Sequence, residues 1–171
     1  TDSRIFRDGI TRKAAMQEAV ADWSRALARP LDVRFAVDRL AGEVRSRSPI
    51  GARLDLDRVG AAGHSFGAWT SLVLAGQRIP DRADGPLASA GAYADPRVRA
   101  ILAMSPPVRR GRAEATLDKV YGGITVPLMV MAGTHDLSPI GDQRPEERRI
   151  PFDLSGSRDG ALITFRWGDH W

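Results

Sequence analysis

The sequence contains no cysteine. That excludes disulfides, thiolate metal sites and a cysteine nucleophile. Lysine is almost missing: Lys13 and Lys119 are the only two, so arginine supplies nearly all of the 25 basic residues. Histidine occurs three times, at His64, His135 and His170. Any proton chemistry that needs an imidazole must run through one of these. No apolar run approaches the ~18 residues of a membrane span, and the chain has no internal repeat and no low-complexity segment. The net charge of +4 invites a nucleic-acid reading, but the arginines are scattered among 21 acids. The densest groups, Arg109-Arg110-Gly-Arg112 and Arg144-Pro-Glu-Glu-Arg148-Arg149, carry no interleaved aromatics. They read as solvated surface, and nucleic acid is not an expected partner.

What remains is an ordinary globular composition over 171 residues, 43% hydrophobic and 27% charged, the size of one domain. Helical spacing at Met16, Val20, Trp23 and Leu27 predicts a helix from Thr11, with Thr11 as N-cap and Pro30 as its end. Val33, Val37, Leu40 and Val44 predict a second helix over 31–44. A first strand is expected at 59–63, a third helix at 66–75 with Gly76 closing it, and strands at 98–104, 127–132 and 161–167. The stretch 77–96 reads as a long polar loop, 137–160 as polar and turn-rich, and 108–125 as irregular or short helix. Strand and helix signals alternate without a hairpin signature. That pattern predicts an α/β fold with a mainly parallel sheet and helices on both faces.

The organising stretch is Gly63-His-Ser-Phe-Gly67, a Gly-x-Ser-x-Gly motif between an apolar strand and a helical pattern. A sharp turn there presents Ser65, with flanking glycines keeping strand and helix apart. A serine hydroxyl needs a base to take its proton, and that base needs an orienting carboxylate. His64 adjoins Ser65 and His135 adjoins Asp136, so neither is placed to swing over the serine. His64 is expected to pack or brace the loop. His170, just past the last strand, is the candidate base. Asp136 follows the apolar third strand directly and is the candidate acid. Asp142 is the reserve, and Asp169 sits too close to His170 to orient it. The order Ser65, Asp136, His170 is the order a nucleophile-elbow architecture requires. Phe66, next after the serine, would offer its backbone N–H to an oxyanion. These steps call for no metal or cofactor.

These residues resemble the α/β-hydrolase superfamily, and within it the dienelactone-hydrolase-like and platelet-activating-factor-acetylhydrolase-like esterases. Gly63-His-Ser-Phe-Gly-Ala68, Val126-Pro-Leu-Met-Val-Met-Ala-Gly-Thr-His-Asp136 and Gly168-Asp-His170 carry the likeness, which runs from about Ala14 to Trp171. The resemblance implies a serine hydrolase of small-molecule carboxylic esters with a short acyl group. A non-catalytic binding or scaffold domain of the same fold is the alternative. The sequence departs from the family in opening with helices rather than strands, in lacking the loop that supplies a second oxyanion donor, and in lacking a helix after the histidine. It therefore reads as one incomplete α/β-hydrolase domain over 1–171, with the N-terminal strands and final helix missing. From this follows the expectation that the first strand lies at an open edge.

Overall fold

The computed structural model describes residues 12–82, 85–108 and 114–170. The expected N-cap Thr11 and the Arg109–Arg112 group lie outside them. In chain order the elements are α1 (Arg12–Ala21), α2 (Trp23–Arg45), β1 (Val59–His64), α3 (Phe66–Leu74), β2 (Val98–Met104), α4 (Glu114–Tyr121), β3 (Leu128–Gly133), α5 (Ile150–Asp153) and β4 (Gly160–Phe165). Short 3-10 turns occupy Gly51–Arg53 and Pro145–Arg149. The four strands form one sheet in the order β1-β2-β3-β4, every pair parallel. The architecture is α/β with a parallel sheet, and β1 lies at its edge. No described helix is long and apolar enough to cross a membrane.

Parallel neighbours need a crossover, and here each crossover brings a helix onto the same face. The register aligns Ala61, Ile101 and Leu128 in one row across the strands, and Ala103, Val130 and Leu162 in the row beside it. These side chains meet Ala68, Leu72, Val120, Tyr121 and Ile124 from α3, α4 and the turn after α4. Phe152 and Leu154 close the cluster from the α5 side. Helix α3 is mostly apolar and buried from Ala68 to Leu74, with the Thr70 and Ser71 hydroxyls bonded back to Phe66 O and Gly67 O, as suits a helix lying between a sheet and a second helix layer. Its outer side meets Ala26, Trp23 and Ile79 through Trp69 and Val73. Fully burying a residue such as Leu72 contributes about 1.5–3 kcal/mol.

Among the described residues the opposite face of the sheet is the more open one. Ala62, Leu102, Met129, Met131 and Ile163 point there, and all remain exposed or half-buried. A shallow apolar trough on that side is lined by strand residues and their immediate flanks alone.

Two local expectations are corrected. The break between the first helices falls at Asp22, not at Pro30. Asp22 leaves helical geometry (φ −72°, ψ 94°), and its carboxylate accepts from Ser24 N, capping α2. Pro30 lies inside α2, where a missing N–H and ring clash cost about 3 kcal/mol. Burial of Ala26, Pro30 and Val37 offsets this. Val33 and Leu40, expected on the buried face, are exposed, because α2 packs mainly on α1, α3 and the Gly51–Arg53 turn. The segment 137–160, expected to be polar and turn-rich, also contains a short helix, α5.

Candidate active site

The site begins with the turn between β1 and α3. Ser65 adopts φ 54°, ψ −119°, a conformation that costs a non-glycine residue about 1–3 kcal/mol. Its N–H donates to Met104 O on β2 (2.9 Å), and its carbonyl accepts from Trp69 N (3.2 Å). The turn is thereby pinned on both sides. A Cβ at Gly63 would lie 2.2 Å from Gly67 C, so only glycine lets the strand pass the helix there. At Gly67 a Cβ would meet open space. The two glycines were expected to share the relief, and it falls on Gly63.

His170 arrives from the turn after β4, and Asp136 from the turn after β3. What joins those turns is the contact of Gly133 with Gly168. A Cβ at Gly133 would lie 2.0 Å from Gly168 O. With neither residue carrying a side chain, Thr134 N donates to Phe165 O (3.0 Å) and His135 N to Gly168 O (2.8 Å). The result is a chain of three side chains. Asp136 Oδ1 lies 2.7 Å from His170 Nδ1, and His170 Nε2 lies 3.0 Å from Ser65 Oγ. Asp136 is fully buried and His170 is 5% exposed. A carboxylate only accepts, so Nδ1 carries the hydrogen and Nε2 offers its lone pair to the Ser65 hydroxyl.

Burial pushes the Asp136 carboxyl upward. Hydrogen bonding from His170 and Ser105, with the charge of Arg148, outweighs this and holds it below the ordinary aspartate value. The Ser105 hydroxyl acts on the carboxyl without the geometry of a full hydrogen bond to Oδ2, which is buried without a partner. Behind this pair stands a polar wall that the sequence did not reveal. Ser105 ends β2 at φ 50°, with its N–H on Met131 O (2.7 Å). Gln143 is buried, accepts from Val108 N (3.0 Å) and donates to Pro106 O (3.2 Å). Arg148, read as surface, is 1% exposed. The strand-ending Ser-Pro-Pro was the one available signal for this wall.

The remaining candidates fall elsewhere. His64, expected to pack or brace, is exposed at the end of β1, with its ring 4.8 Å from that of His170. His135 is exposed and stacks on Trp167 at 5.1 Å. Asp142 and Asp169 are exposed. Phe66 opens α3, and among the described residues its N–H meets no acceptor. The helix N-terminus therefore directs partial positive charge at the space beside Ser65 Oγ. The Phe66 ring packs 5.1 Å from Trp69, under the Arg29 guanidinium at 4.7 Å. It borders a cavity of about 270 Å³ walled mostly by apolar side chains, among them Trp23, Trp69, Ile79 and Leu117.

Among solved structures, that of acetyl xylan esterase 1 from a Thermoanaerobacterium species matches with a TM-score of 0.47 at 16% identity. The match covers 69% of this chain and 42% of that one, so this chain spans under half the length of that enzyme. No family model matches the sequence. No curated protein matches it either.

Such an arrangement can do one kind of chemistry well. A hydroxyl hydrogen-bonded to an imidazole, itself hydrogen-bonded to a buried carboxylate, has the parts that a serine nucleophile and its base require. The strained turn lifts that hydroxyl to the carboxyl end of the sheet, where ligands meet folds of this class.

Proposed function

We propose that the chain is a serine hydrolase acting on carboxylic esters, built as one α/β-hydrolase-type unit. The observation that carries this reading is the Asp136–His170–Ser65 chain at 2.7 and 3.0 Å. Ser65 Oγ attacks the ester carbonyl carbon while His170 Nε2 takes its proton. The carbonyl π pair moves to oxygen, and the Phe66 N–H and the α3 N-terminus receive that charge. Collapse expels the alcohol, which takes the proton back from His170, and an acyl-serine remains. Water then attacks with His170 again as base, and the acid leaves. Positioned acid–base transfer of this kind contributes about 10²–10⁴ in rate. One correctly aimed oxyanion donor contributes about 10²–10³. The cavity bordered by Phe66 and Trp69 is the apolar surface against which an acyl or alcohol group would rest.

Labelling with a fluorophosphonate probe tests the reading, since only an activated serine reacts. Wild-type protein should take the label. Ser65→Ala and His170→Ala should not, and His64→Ala should label at close to the wild-type rate. A folded wild-type chain that takes no label would make this a binding domain and end the hydrolase proposal.

A further inference from the structure

Arg148 heads the fully buried side chains in size among the described residues. Burying a guanidinium costs several kcal/mol unless every N–H finds a partner. Here each of its three nitrogens has an acceptor. Nε donates to Asp136 O (3.3 Å), and Nη1 to Ser105 O (3.1 Å), Pro106 O (3.2 Å) and Gln143 Oε1 (3.2 Å). Nη2 pairs with Asp136 Oδ1 at 3.1 Å. One side chain thus joins the carboxyl end of β2, the turn after β3 and the Pro145–Arg149 turn that carries it.

The contact with the proton chain is more specific than that scaffold requires. Nη2 also lies 3.2 Å from His170 Nδ1. These two nitrogens do not bond to each other. Nδ1 spends its one hydrogen on Asp136 Oδ1 at 2.7 Å, and a ring nitrogen that donates has no lone pair to accept with. Both nitrogens therefore converge on the same oxygen. Oδ1 is held from two directions, the carboxylate cannot rotate it away from the imidazole, and the cation keeps a fully buried carboxylate charged. Arginine stays cationic in proteins, and its planar fork suits this convergence in a way that lysine does not.

We infer that Arg148 is a positioning residue of the site: it clamps Asp136 Oδ1 onto the Nδ1 hydrogen of His170, and thereby fixes the tautomer and aim of the imidazole at Ser65 Oγ. The inference rests on the hydrolase reading of Ser65.

Turnover of a small aryl acetate by wild type, Ser65→Ala, Arg148→Met, Asp136→Asn and the Asp136→Asn/Arg148→Met double variant tests it, with circular dichroism melts as the folding check. Arg148→Met should lower kcat about 10- to 100-fold, the scale on which groups that orient a histidine act, with KM changed less than about threefold. Residues that act as one unit are not additive. In the Asp136→Asn background, Arg148→Met should therefore cost less than about threefold more in kcat. Folded Arg148→Met with kcat within threefold of wild type overturns the inference. So does a full, multiplicative loss in the Asp136→Asn background, which is what a purely structural role gives. If Arg148→Met alone does not fold, the double variant decides, because removing both members of a buried pair spares the cost of an orphaned charge. Turnover surviving in Ser65→Ala would sink the hydrolase reading itself, and it does so whatever Arg148 shows.

Discussion

Asp136 sits in the most demanding environment of any residue here, fully buried yet held below the ordinary aspartate value. That has a consequence for stability. Its folded-state value lies below its unfolded value, so the unfolded chain binds the proton more tightly. The stabilisation is fully present above the ordinary value of 3.8 and is lost as pH falls through the folded value. Each proton so linked makes stability change by up to about 1.4 kcal/mol per pH unit. Asp95 behaves the same way, held low by its hydrogen bonds from Arg97, and contributes its own share. Melting temperature should therefore fall steeply in wild type below about pH 4. Asp136→Asn should melt lower at neutral pH, because Arg148 loses its counter-ion, yet show a shallower slope below pH 4. Equal slopes in the two proteins would mean that Asp136 is not held low in the folded state.

At the scale of elements, the site depends on how closely the ends of β3 and β4 approach. Gly133→Ala would drive a methyl into the Gly168 carbonyl and part the two turns that carry Asp136 and His170. On the proposed hydrolase reading, a displacement near 1 Å at reacting groups costs about 10² in rate, so turnover of an aryl ester should fall by about that factor, with a lower melting temperature. Gly60→Ala on β1, whose added Cβ meets nothing within 4 Å, should change turnover little. Equal behaviour of the two variants would show that the approach at Gly133 is not what brings acid and base together. The elements of this arrangement were legible where their cause is local. The strand–turn–helix of Gly63 to Gly67 is written within five residues, and the apolar run Leu128–Gly133 needs no distant partner to be seen. Arg148 was not legible. Its partners Ser105 and Pro106 are more than forty residues away, and its own segment, rich in charge and opened by Pro145, has the composition of a surface turn. Pro30 misled for the opposite reason. Its local cost is plain in the sequence, while the burial that offsets it belongs to the packed helix pair.

For the whole molecule, the layers are unequal. All described helices gather on one side of the sheet or beyond α3, and the other side shows Ala62, Leu102, Met129, Met131 and Ile163 in part to solvent, with Phe165 51% exposed at its margin. Among the described residues β1 has a neighbour only at β2, so its outer edge presents unpaired backbone groups beside that apolar surface. Open edges next to apolar faces are templates for association. The protein should accordingly aggregate on heating through this side rather than unfold reversibly. A lysine on an edge strand is the natural counter-measure, and Ala62 is exposed on β1 and faces the uncovered side. Ala62→Lys should raise the onset of light scattering in a thermal ramp by several degrees, while lysine placed at the exposed Ala36 on α2, far from the edge, should leave it unchanged. Both substitutions add one positive charge, so a general solubility effect would move the two onsets together, and that result would remove the β1 edge as the seat of association.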